Sequence, residues 1–184
     1  MGHPASFQRA RATSLIRGRG FARALAIVLL ASGLGAMPAS RARAQDAMPV
    51  PLMERTRGAE RVVVGRVASV SPTWRVNEFG DRLIVSVVRV NVDETLKGGP
   101  QPLVELEVEG GTIDGLTLNV SDQAELAVGE RAVFYLSRNA AGRLVPHLRG
   151  QGVLKLDARG RVPDSSLTLD VIRREAAAAT ASPR

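Results

Sequence analysis

Three glutamates alternate along "LVELEVE" (103–109), and an acidic pair, Asp93 and Glu94, precedes Lys97 and the double glycine Gly98-Gly99. Such groups invite two chemistries. Glu105, Glu107 and Glu109 share one face of an extended strand at steps of about 7 Å. That lies within the roughly 5–10 Å separation of carboxylate pairs that hydrolyse glycosides. The same alternation also solubilises a strand and discourages edge pairing, and Arg89 and Arg131 are available as cross-strand partners. "LKGG" does not make a phosphate loop, because Lys97 precedes the glycines and a proline and a strand follow them. Asp114, Asn119 and Asp122 offer loop oxygens for calcium but lack the register of a calcium-binding loop. No metal site is therefore assigned.

The remaining catalytic vocabulary is sparse. There are two histidines, His3 and His147, and no cysteine. A thiol nucleophile, thiolate zinc sites, a lipid-modified cysteine and disulfide staples are excluded. No G-x-S-x-G elbow accompanies His147, and transition-metal sites usually require several His or Cys ligands. No catalytic residue and no cofactor site is assigned.

Charge separates the chain into two parts. The net charge of +7 comes from residues 1–44, which hold seven arginines and no carboxylate. The 25 basic residues less those seven leave 18, against 18 acidic ones. The neutral remainder lacks the basic footprint of a nucleic-acid binder. Residues 1–44 read as an export signal: a basic start, the apolar run "FARALAIVLLASGLGA" (21–36), and Ala42-Arg43-Ala44 ahead of a cleavage point between Ala44 and Gln45. The run is shorter than the roughly 20 apolar residues of a membrane span. No stable span is expected after cleavage, and the product is expected in the periplasm or outside the cell. A mature length of about 140 residues suffices for a self-supporting apolar core.

Residues 45–58 read as a lead-in with a short helix, Pro51 at its start and Gly58 near its end. Residues 59–163 carry strand periodicity. "RVVVGRVASV" (61–70) has a mid-strand glycine, as in a bulged strand. "RLIVSVVRVNVDETL" (82–96) sets Ile84, Ser86, Val88, Val90 and Val92 on one face. In 103–109, Val104, Leu106 and Val108 point inward and the glutamates face water. Short strands are expected in "TIDGLTLNV" (112–120), a loop over 121–130, strands over 131–138 and around "RLVPHLR", and a last hairpin over 152–162. Residues 164–184 read as a helix capped by Asp164, Ser165 or Ser166, followed by a fraying tail.

The pattern predicts an all-β, mainly antiparallel domain: a small closed or partly open Greek-key, OB-like barrel with short helices at each end. "SPTWRVNEFGDR" (71–82) reads as a loop or wide hairpin. Trp74, Arg75 and Phe79 are its candidate partner-binding residues, since tryptophan and arginine are enriched at binding hot spots. The competing reading has Trp74 and Phe79 plugging one end of the barrel.

"VVVGRV" (62–67), "VDETLKG" (92–98), "VEGG" (108–111) and "AVGERAVFYL" (127–136) together resemble a recurring exported bacterial domain. Its OB-like barrel is similar in outline to netrin and metalloproteinase-inhibitor modules. The resemblance covers roughly residues 55–160 and implies no catalytic residue. The inhibitor modules depend on an N-terminal cysteine and disulfides that this chain lacks. The expected function is that of a non-catalytic binding or accessory module whose partner is another exported protein. A protease-associated factor or inhibitor, or a carboxylate-dependent hydrolase, stands as the alternative.

Overall fold

The computed structural model describes residues 49–77 and 79–181. Residues 1–48, including the segment read as an export signal and its expected cleavage point, lie outside the described residues. Helix α1 (Leu52–Gly58) begins directly after Pro51, whose fixed φ suits a helix start. Eight strands follow: β1 (Arg61–Val76), β2 (Arg82–Lys97), β3 (Leu103–Glu109), β4 (Gly111–Ile113), β5 (Leu116–Leu118), β6 (Arg131–Arg138), β7 (Leu144–Pro146) and β8 (Val153–Leu156). Helix α2 (Leu169–Ala181) closes the described chain.

The main sheet is antiparallel throughout, in the order β3-β2-β1-β6-β7, with β8 also on β6. β4 and β5 form a separate hairpin. Two sixteen-residue strands, β1 and β2, form the backbone of the sheet, and their pairing slips at three places, one of them between Val64 and Gly65. A Cβ at Gly65 would stand 2.5 Å from the carbonyl oxygen of Asn91. Only glycine lets the two strands approach this closely, as expected for a mid-strand glycine at a bulge.

Each face of the curled sheet buries a cluster. Inside lie Val63, Val67, Val88, Val90, Val104, Leu106, Phe134 and Leu136. Outside, over β1, β6 and β8, Val62, Val64, Val133, Tyr135 and Leu156 meet Ala59, Leu169 and Ile172. The two helices stand at either end of the strand sequence, as expected, and they pack on the outer face. Lys97, at the end of β2, donates to the carbonyls of Thr56 (2.8 Å), Arg57 (3.1 Å) and Ala59 (2.6 Å). Its ammonium closes the C-terminus of α1, where bare carbonyls and the helix dipole favour a cation.

The ladder does not close on itself. β3 and β7, the two ends of the sheet, run in the same direction and approach to Cα separations within 8 Å, yet no ladder joins them. The bonds Gly110 N–H to Ile84 and Val92 N–H to Pro102 set the alternation on β3. The backbone of Glu105 and Glu107 therefore points away from β2, toward the open edge. On β7 the bond from His147 N–H to Tyr135 leaves Leu144 and Pro146 facing outward. Proline has no N–H to give, and β7 is three residues long.

Several expectations need correction. Of the two readings of 71–82 the hairpin holds and the loop does not: β1 runs to Val76, β2 starts at Arg82, and only 77–81 joins them. The segment after β8 turns at Asp157–Gly160 and pairs back only once, Asp157 N–H donating to the Arg161 carbonyl at 2.8 Å; no second strand follows among the described residues, β8 pairs with β6, and Arg161 bridges Thr168. Helix α2 starts at Leu169 and is capped by the Thr168 hydroxyl, which accepts from Val171 N–H (3.3 Å). Asp164, Ser165 and Ser166 lie before that cap. The helix buries Leu169, Ile172, Ala176 and Ala179, while Leu167 and Val171 are only partly covered.

Candidate functional site

Two turns of the same design flank one end of the sheet. At the β1–β2 turn Asn77 Oδ1 accepts from the N–H groups of Phe79 (3.0 Å) and Asp81 (2.8 Å). At the β6–β7 turn Asn139 Oδ1 accepts from those of Ala141 (3.1 Å) and Arg143 (3.0 Å). In each, a glycine three residues on takes positive φ, Gly80 at 85° and Gly142 at 74°. The side-chain oxygen replaces a backbone partner and stiffens the turn. Asn-x-x-Gly is spelled at both places, so the sequence held this signal.

Between the turns, over the outer face of β2 and β3, lies a cleft of about 510 Å³. Val76, Leu83, Val85 and Val145 supply its apolar lining, and Arg75, Arg143, Glu107 and Glu109 its charges. Glu107 is 9% exposed, against the expectation that all three glutamates face water. It accepts from Arg75 Nε at 3.0 Å and from Arg143 Nη1 at 3.4 Å. The alternation correctly puts Glu107 on the outer face; what buries it is cover from the β6–β7 turn, which lies far away in sequence. Glu105 pairs with Arg89 at 3.0 Å, the cross-strand partner expected, and Glu109 with Arg149 at 2.9 Å. Arg131 serves Asp93 instead. Three carboxylates each held by a guanidinium are anchors, with no free pair poised for acid and base roles.

The three candidate contact residues are not brought together. Consecutive strand residues point to opposite faces, so Arg75 enters the cleft while Trp74 lies on the other side. Trp74 is half-buried beneath the Arg82 guanidinium, which stands 4.7 Å from its ring. Phe79 is 80% exposed at the tip of the turn, and Val76 is 64% exposed at the cleft rim. Phe79 therefore plugs nothing.

His147 sits just beyond β7, packed against Gly58. Burial, then the charges of Lys97 and Arg55, hold its pKa below the ordinary value. The two neighbouring cations and the burial all disfavour its protonated form. Arg55 is buried, its pKa lowered by burial; it donates to the carbonyl of Val50 (3.0 Å) and lies 5.5 Å over the Tyr135 ring. Among the described residues no three His, Asp or Glu side chains converge to hold a metal, and no helix is long and apolar enough to cross a membrane.

No protein-family model matches the chain, and no curated protein matches it.

Proposed function

We propose that the chain is an exported, non-catalytic binding module. Its sheet acts as a partly open OB-like barrel, and the cleft between the two asparagine-locked turns receives an extended segment of another exported protein. The strand order β3-β2-β1-β6-β7, with β3 lying beside β7, supports the barrel reading. OB barrels bind ligands over strands two and three, between the loops that follow strands one and four. The observation that carries the proposal is the cleft itself. An apolar floor lies between two stiffened turns, the exposed Val76 lines it, and Phe79 stands exposed at the tip of the adjoining β1–β2 turn. A stiff apolar surface loses little entropy when a partner orders on it.

The test is capture from the native envelope extract by the full chain, by Phe79→Ala and by Val76→Asp. The partner should be held by the native chain and lost by both variants, while both melt as the native chain does. Equal capture by all three would reject the cleft. Export is tested separately: the mature product should begin at Gln45, and a product retaining residues 1–44 would reject cleavage.

A further inference from the structure

The inner face of the sheet carries a second cavity, which shares Glu109 with the cleft but does not depend on the function proposed there. It measures about 610 Å³. Val70, Val88 and Val108 form its floor, with Val88 and Val108 fully buried. Leu118 of the β4–β5 hairpin and Leu126 of the 119–126 segment contribute to its walls.

Two features define what fits there. The lining contains Glu109 and Glu125 and no lysine or arginine. Glu109 is paired with Arg149, whereas Glu125 is exposed and makes no ion pair among the described residues. The Gln123 Oε1 atom is buried and accepts no hydrogen bond there. Gln123 lines the cavity, and by turning its amide toward a ligand N–H it gains the partner it lacks.

The wall is also held in place. Arg149 pairs with both Glu109 and Asp122, and Gly150 N–H donates to the Asp122 carbonyl at 2.7 Å. To make these contacts Leu148 and Arg149 both adopt left-handed backbone, φ 61° and 55°. That conformation is unfavourable for residues with a Cβ. The strain is offset by a latch that fixes the segment bearing Gln123 and Glu125.

We propose that this cavity binds a compact organic cation: an apolar ring system over the valine floor, with a primary ammonium directed to the Gln123 and Glu125 side. An anionic ligand of the same shape would meet carboxylates with no cation in the lining. The experiment titrates the isotope-labelled full chain with three matched indoles: tryptamine, tryptophol and indole-3-propionate. Tryptamine should give saturable amide shifts at Val88, Val108 and Leu126, binding about fivefold or more tighter than indole-3-propionate, as expected for one partly exposed charge pair. Glu125→Gln, an exposed substitution that leaves folding intact, should reduce that preference to about twofold or less. Equal binding of the amine and the acid by the native chain would overturn the proposal. So would shifts confined to the Arg75–Val85 and Asn139–Val145 cleft, or no saturable shift at all.

Discussion

The Lys97 ammonium lies 2.6 Å from the carbonyl oxygen of Ala59, the C-cap residue just after helix α1. With the Thr56 and Arg57 carbonyls it makes three charge-assisted bonds between the end of β2 and the first helix. Hydrogen bonds to a charged group contribute more than neutral ones. Lys97→Met should lower unfolding free energy by about 2 kcal/mol, measured by urea denaturation. A loss under about 0.5 kcal/mol would show that water replaces the ammonium without cost.

Glu107 and Glu105 occupy one face of one strand and should behave differently. Glu105 and Arg89 are both exposed, and such pairs contribute about 0–1 kcal/mol. Glu107 is covered and bonds two guanidinium groups that themselves keep access to water, so Glu107→Ala should cost about 1–2 kcal/mol, more than Glu105→Ala. Parallel urea curves for the two variants decide it, and equal costs would contradict the difference in burial.

Gly65→Ala should be among the most damaging single changes. The added methyl meets the Asn91 carbonyl and a Val90 methyl, both at 2.5 Å. Overpacking of this kind costs about 1–3 kcal/mol, and here the nearest atom is backbone, which cannot swing aside. Calorimetry should place this variant well below Gly99→Ala, where no atom lies within 4 Å.

Acidification should expose His147. Its folded pKa lies below the ordinary 6.5 because of burial and the nearby Lys97 and Arg55 charges. As pH falls through the unfolded value the unfolded chain takes up a proton that the folded chain does not, so stability declines. Between pH 7 and 5.5, His147→Gln should flatten that decline. An unchanged slope would assign it to other groups.

At the alkaline end the single tyrosine reports on the outer core. Burial raises the Tyr135 pKa from 10.0 to about 12, against the opposing pull of Arg55 and Thr56. The unfolded chain loses this proton first, so stability falls as pH rises above 10 toward that value. Absorbance of tyrosinate should titrate near 12 in the folded protein and near 10 in urea.

Period and punctuation made most of this fold legible. Helix α1 is bounded by the Pro51 and Gly58 that announce it, and the alternation of 82–96 and 103–109 places the inward valines correctly. The extension of β1 past Pro72 was hidden because proline and two aromatics resemble loop composition. Proline is tolerated there because Pro72 pairs only with β2 and leaves its other side free. Glu107 and Lys97 were illegible for a different reason. What distinguishes them is a partner 36 or 41 residues away, at Arg143 and at the Thr56 carbonyl, and local periodicity carries no such information. Arg75 was found by residue type alone; that it and Trp74 part company follows from adjacent positions on one strand.

Val62, Val63 and Val64 are all fully buried, the middle one in the inner cluster and its neighbours in the outer. A single strand is therefore a party wall between two cores. The helical layer has no separate foundation: α1 and α2 rest on a strand whose backbone also carries the inner cluster. Sub-global opening of the helices alone would bare the far side of the strand that organises everything else. The expected behaviour is one cooperative unfolding unit, with amide exchange in α2 tracking that of β1.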